Sequence, residues 1–380
     1  MKGVVNLIMW AFIFGALLLV LILGIVFLIY SIKQFHFIDV LAHNKKSLGW
    51  IISILVLLLP SIVMWKIFGY MNAIIILLHL AVFWAILKLI RYAVKKFRKR
   101  TFSHYCAGIV ALLITASYLS IGWIQAYHVW ETDYSIDTDK NVGTLKIALI
   151  ADSHVGTTFN GKEFSQHLSC IQELQPDLLV ISGDFVDEDT TKTDMLDACS
   201  ALKNVKTKYG TYFVFGNHDK GNYGSNRRGY TGDDLIAELE RNNVTVLQDE
   251  NVLIDNRFYL IGRQDASEAD FGRNRMDIAD LTDKLDKSRY SIVLDHQPVD
   301  YSAESDTDVD LVLSGHTHGG QMIPIMQLCN WFNIGGNDSM YGMEHRKNTD
   351  FIVTSGISDW AIKFKTGCRS EFVMITINGK

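Results

Sequence analysis

Acidic side chains are almost missing from the first third of the chain: residues 1–130 hold one, Asp39, against twelve lysines and arginines. The other 40 acids and 24 basic residues all lie beyond Trp130, so the two parts carry about +11 and −16 of the net −5. An average of 49% hydrophobic and 20% charged residues hides two regions that live in different solvents. The five cysteines (Cys106, Cys170, Cys199, Cys329 and Cys368) form no Cys-x-x-Cys pair. In a chain of 380 residues that excludes a small disulfide-stapled scaffold, and each Cys reads as a small buried hydrophobe. No internal repeat or low-complexity tract interrupts the chain, which is long enough for two domains.

What fills the first region is apolar. Four stretches, about 4–32, 48–68, 70–90 and 105–127, each reach the ~20 residues of helix needed to cross a bilayer core. The second and third are joined by a tight turn at Gly69 and form a hairpin. The first has about twice the apolar length of a cleaved signal and no small-x-small cleavage site after it. Trp10, Trp50, Trp65, Trp123, Tyr127 and Trp130 lie near the ends, as interfacial aromatics do. Two loops concentrate the positive charge: Lys33, Lys45 and Lys46 after the first span, and Arg91, Lys95, Lys96, Arg98, Lys99 and Arg100 after the third. Lys2 and Lys66 stand alone on the opposite side. The positive-inside rule then puts both basic loops in the cytosol and residues 131–380 on the non-cytoplasmic side. Within the spans His79 is the notable ionisable group, expected as a hydrogen-bonded interhelical residue, with Lys66 and Lys88 near the ends. That favours an anchor over a transport path.

Beyond a polar stretch at 131–144, expected to be a linker, short apolar runs alternate with amphipathic segments. Strand-like runs are 145–151, 177–182, 212–215, 258–261, 291–294, 310–313, 351–354 and 372–377. Helix-like segments lie near 162–174, 192–205, 233–241 and 275–287. Strands interleaved with helices predict an α/β domain over 131–380.

Five of these runs pass straight into residues that bind metals. One ends in Asp152-Ser153-His154, another in Gly183-Asp184, a third in Gly216-Asn217-His218-Asp219. The last two end in His296-Gln297-Pro298 and Gly315-His316-Thr317-His318. In extended backbone, residues i and i+2 point the same way, so Asp152 with His154, and His316 with His318, can face one site. Side chains at the C-terminal ends of strands are where an α/β sheet carries its site. The set offers oxygen and imidazole nitrogen and no thiolate, which suits Mn, Fe or catalytic Zn over a closed structural zinc. Asp152, His154, Asp184, Asn217, His296, His316 and His318 are more donors than one ion needs. Two ions sharing a carboxylate would clamp a phosphoryl oxygen and ionise a water between them.

The blocks Asp-x-His, Gly-Asp, Gly-Asn-His-Asp, His and Gly-His-x-His, in this order over 145–377, resemble the calcineurin-like metallophosphoesterase superfamily. The resemblance implies an αββα sandwich and two divalent transition metals, manganese first, with iron or zinc as alternatives. It implies Asp152, His154, Asp184 and His318 around one ion, and Asp184, Asn217, His296 and His316 around the other, with Asp184 bridging. His218 matches the histidine that contacts phosphate and protonates the leaving group, and Asp187 the acid that orients it. Protein phosphatases follow that acid with Arg-Gly, whereas Glu188 and Asp189 follow here. Gly319-Gly320-Gln321 and the tail with Ser355, Gly356, Ile357, Arg369 and Glu371 are similar to a bacterial membrane-associated subgroup that includes lipid pyrophosphatases and phosphodiesterases.

A domain charge of −16 disfavours nucleic acid as a partner, since that affinity comes from clustered Lys/Arg. A small or lipid-borne phosphodiester or pyrophosphate fits better, because tethering at a bilayer raises its effective concentration. Arg227, Arg228, Arg263, Arg273 and Arg275, in loops 222–231 and 262–275, are candidate headgroup contacts unless those loops are simply solvated. The rival expectations are a non-catalytic metal-binding sensor, or a domain serving a transporter.

Overall fold

The computed structural model describes residues 2–98, 106–224 and 228–380. Lys99, Arg100, Tyr105 and Arg227 lie outside the described residues. The chain separates into two compact units, Met1–Ile121 and Gly122–Lys380.

The first unit is helical: α1 (Lys2–Ile32), the short α2 (His36–Leu41), α3 (Lys46–Phe68), α4 (Tyr70–Arg98) and most of α5 (Ala107–Tyr127). α1, α3, α4 and α5 are long and apolar enough to cross a membrane. Their buried seam is small and holds Leu28, Ile32, Ala81, Trp84 and Ala111. Close approach relies on small residues: a Cβ on Gly24 would sit 3.6 Å from that of Ala81. Hydroxyls are satisfied within their own helices, Ser53 Oγ donating to Gly49 O (2.7 Å) and Thr115 Oγ1 to Ala111 O (2.8 Å). His79 differs from its expected role. Its Nδ1 pairs within its own helix, 2.8 Å from Ile75 O, and the ring instead reaches α5 by stacking on Tyr118 at 5.6 Å.

The second unit contains two six-stranded sheets. The first runs in the order β1 (Trp130–Asp137), β12 (Glu371–Asn378), β2 (Thr144–Ile150), β3 (Leu178–Ser182), β4 (Thr211–Val214), β5 (Val244–Val246). The second runs β10 (Gly342–Arg346), β11 (Thr349–Val353), β9 (Leu311–Ser314), β8 (Tyr290–Leu294), β7 (Phe258–Gly262), β6 (Glu250–Ile254). Side chains alternate along each strand, and the alternation assembles the layers. Leu145, Ile147 and Leu149 of β2 meet Ile292 and Leu294 of β8 and Leu311 and Leu313 of β9 between the sheets. Ala148 and Ile150 point the other way, onto α6 (Gly161–Glu173), α7 (Lys192–Leu202) and α8 (Gly232–Arg241). Val293 and Val312 face α9 (Ile278–Thr282) and α10 (Tyr301–Asp306) on the far side. The result is an αββα sandwich.

Two expectations change. Residues 131–144 begin not as a linker but as β1, an edge strand paired in parallel with β12 from Trp130↔Glu371 to Asp137↔Asn378. Trp130, Thr132, Tyr134 and Ile136 alternate with Glu131, Asp133, Ser135 and Asp137, a two-residue period masked by the polar content of the stretch and by the burial of Ile136 alone. The helix expected over 275–287 shrinks to α9, five residues long.

Candidate metal centre

The parallel strands β2, β3 and β4 of one sheet and β8 and β9 of the other deliver their C-terminal ends to one place. The loops are laced together there: Asp152 N–H donates to Gly183 O (3.0 Å), His154 N–H to Asp184 O (3.1 Å) and Gly315 N–H to His296 O (3.0 Å). Gly183 takes φ +81°, and a Cβ on it would lie 2.5 Å from His296 Nδ1. Only glycine lets the two loops approach so closely.

Two groups of donors result. Asp152, His154 and His318 form one, and Asp184, His296 and His316 the other, each with its donor atoms within 4.8 Å of one another. Asp184 stands between them: Oδ2 lies 3.1 Å from His296 Nε2 and 3.7 Å from His154 Nε2. Asn217 joins the second group through Oδ1, 2.9 Å from His316 Nδ1.

These residues fit divalent cations on three counts. First, His154 Nε2 and His318 Nδ1 are buried without a hydrogen-bond partner, a costly state unless a cation takes their lone pairs. His296 Nδ1 lies 2.8 Å from Ser182 O; a carbonyl only accepts, so a proton sits on Nδ1 and Nε2 is turned toward Asp184 Oδ2. Second, Asp152, His154, Asp184, His316 and His318 all take positive φ, between 35° and 72°. Each left-handed residue costs about 1–2 kcal/mol, and such strain collects at functional sites. Third, the charges suit ions. Burial, with His296 and other nearby histidines, pushes His316 down to about 3, and burial with His154 holds His318 well below its usual value. Both imidazoles are therefore neutral and able to donate. Burial alone would raise Asp184, but His296, His218 and His154 outweigh it and keep the carboxylate ionised.

His218 stands beside these groups. Its N–H donates to Asp184 Oδ1 (2.9 Å), and its ring is flanked by Tyr223 and Trp360, with centroids 5.2 and 5.4 Å away. The carboxylate that meets Nδ1 is not Asp187 but Glu188, through Oε2 at 2.7 Å. Asp187 instead faces His154, with Oδ2 3.2 Å from its Nδ1. The cause is local: Asp187 Oδ1 accepts from the N–H groups of Asp189 and Thr190, both 2.9 Å, which turns the carboxylate toward β2. Burial opposes charge on His218, yet Glu188 and Asp184 prevail and raise its pKa to about 9.

Sequence reasoning passed over two groups. Glu188 counted only as a departure from a phosphatase pattern. Asp219 is a buried support, accepting from the N–H groups of Gly216 (2.7 Å), Asp184 (2.8 Å) and Val186 (3.0 Å); the Asp that closes Gly-Asn-His-Asp was its only signal. The proposed headgroup arginines are otherwise engaged. Arg263 pairs with Asp295 and Glu304, Arg275 with Asp295 and Asp300, and Arg273 with Glu268. Arg228 is buried and donates to Asp219 O. Of these pairs only that of Arg273 stays within its own loop; the others reach residues of neighbouring segments.

A sandwich with two histidine–carboxylate groups at its strand ends defines a calcineurin-like phosphoesterase domain, and the profile of that name matches residues 145–320. A metallophosphoesterase of Campylobacter jejuni, Cj0846, is 30% identical over 277 residues, covering 72% of this chain and 69% of that protein. A bovine "transmembrane protein with metallophosphoesterase domain" is 28% identical, covering 62% of this chain and 54% of its own length. YkoQ of Bacillus subtilis, named a metallophosphoesterase, is 28% identical over 60% of this chain and 81% of its own. The chain belongs to the metallophosphoesterase family. This chain spans about half the length of the bovine relative.

Proposed function

We propose that the protein is a membrane-anchored, two-metal phosphoesterase that hydrolyses a phosphodiester or pyrophosphate bond, in a lipid or cell-envelope substrate, on the non-cytoplasmic side. The observation that carries this reading is the pair of donor groups sharing Asp184 beside His218, whose Nδ1 meets Glu188. Asp152, His154 and His318 would hold one divalent ion, and Asp184, Asn217, His296 and His316 the other, with manganese the first candidate. When bound, the ions supply an activated water and neutralise phosphoryl charge.

The chain's own groups do the rest. Glu188 holds the imidazole of His218 at Nδ1 and keeps it charged, so Nε2 presents a proton to the departing oxygen. Asp187 steadies His154 from behind, and Asp219 pins the loop carrying Asp184. The rings of Tyr223 and Trp360 flank the His218 imidazole. The side of the membrane rests on the nine basic residues in the two loops, of which Lys99 and Arg100 lie outside the described residues.

The test is hydrolysis of bis-p-nitrophenyl phosphate by the full chain in detergent, before and after chelation and with manganese restored. Activity that chelator removes and metal returns is expected. Asp184→Asn should retain less metal by elemental analysis as well as turning over less. Turnover indifferent to both treatments would sink the proposal.

A further inference from the structure

Beyond the last histidine of the site the chain does something unusual for so acidic a domain: residues 319–337 contain no Asp, Glu, Lys or Arg. They fold into α11 (Ile325–Phe332), and none of its residues is buried. Trp331 is 73% exposed and Phe332 69%, and Ile323, just before the helix, is 50% exposed. A helix of large apolar residues that packs against so little has its partner elsewhere.

The fold indicates which partner. The last turns of α5, Gly122–Tyr127, belong to the same compact unit as α11, although α5 as a whole is a candidate membrane span. The loop at 359–370 fastens the two together. On one side Lys365 N–H donates to Gly122 O (3.0 Å) and Ser370 N–H to Gln125 O (2.9 Å). On the other, the N–H groups of Thr366 and Gly367 donate to Gln321 O (2.8 and 3.0 Å), and Ile323 N–H to Thr366 Oγ1 (3.2 Å). Aromatic side chains gather where α5 ends: Trp123 stacks on Tyr127 at 4.2 Å and meets Phe364 of this loop edge-on at 6.0 Å. Such rings mark the boundary between headgroups and acyl chains. The charge-free helix is thus tied by backbone hydrogen bonds to the point where the chain leaves the membrane.

We infer that α11, with Ile323, is an interfacial helix seated in the phospholipid bilayer surface from which α5 emerges. Its exposed rings would enter the headgroup–acyl boundary to a depth of about 5–10 Å, as amphipathic surface helices do. Because α11 follows His318 within seven residues, and the loop that fastens it also carries Trp360 beside His218, the helix places the rim of the site against lipid. The substrate is then a lipid whose phosphate is attacked while its chains stay in the bilayer, a refinement that rests on the hydrolase reading above.

Two measurements on the full chain, reconstituted in phosphatidylcholine–phosphatidylglycerol vesicles, test this. Brominated acyl chains should quench Trp331 at least twofold, read as the difference between wild type and Trp331→Phe; equal quenching of the two overturns the inference. In Trp331→Asp/Phe332→Asp, the ratio of turnover on a vesicle-borne phosphodiester lipid to turnover on bis-p-nitrophenyl phosphate should fall about tenfold, and an unchanged ratio overturns it. A disulfide-linked dimer formed by Trp331→Cys, without lipid quenching of Trp331, would assign the face to a second copy and overturn it too. Loss of all turnover in the wild type would remove the hydrolase reading, and the quenching would still decide where α11 sits.

Discussion

The two units treat apolar surface in opposite ways. In the first, leucines and isoleucines point outward as a matter of course: Leu18, Leu23 and Leu59 are each more than half exposed, while the buried residues are as often small or hydroxylated as large. In the second, the central strands β3, β8 and β9 are buried along their whole length. The solvent explains the contrast. Lipid gives no reason to hide a leucine but every reason to satisfy a hydroxyl or backbone amide, whereas water drives the leucine inward. The same exposure therefore means little in α1 and a great deal in α11, whose bare rings belong to the water-adapted unit.

Five substitutions test the contrast. The largest effect belongs to the site: His218→Ala should lower turnover by about 10²–10⁴-fold, the range of a lost general acid, with bound metal unchanged by elemental analysis. Next, Gly183→Ala would force a Cβ into His296 and the loop carrying Gly216; we expect at least a tenfold loss of both metal affinity and turnover, read by metal titration and assay. Third comes the contrast itself. Ile292→Ala, fully buried between the sheets, should cost about 2–5 kcal/mol. Leu18→Ala, on the outward face of α1, should stay within about 0.5 kcal/mol. Thermal unfolding of the full chain in detergent checks both, and equal losses would break the distinction. The smallest change is a shift of profile. Because Glu188 and Asp184 raise His218 to about 9, its acid form persists through neutral pH and is lost only as pH rises past that value. Glu188→Gln removes one of those supports, so the alkaline limb of kcat should move to lower pH, toward the ordinary ~6.5 of histidine. Bound cations would lower both limbs and leave the direction of the difference intact.

Much of this was legible in the chain. The spans were visible because a bilayer needs a long uninterrupted apolar run, and α1, α3, α4 and α5 supply it. The seven candidate ligands were visible because each follows an apolar strand whose end has only one place to go in an α/β domain. β1 was missed: its two-residue period is carried by few apolar side chains, and its ladder is made with β12, some 240 residues away. Asp187 and Glu188 were exchanged in role because adjacent side chains cannot be told apart by spacing once the strand has ended.

From the chain alone came the positions of the long apolar helices, an α/β remainder, and the imidazoles and carboxylates at its strand ends. These are local properties, set by apolar run length and by the two-residue period of a strand. It took the folded molecule to show that Glu188 and not Asp187 holds His218, and that α11 is left bare. Those outcomes depend on where loops turn. Loop direction is set by hydrogen bonds to distant backbone, such as the Gly183 carbonyl beneath Asp152 and the Gln321 carbonyl beneath Thr366, which no stretch of sequence contains alone.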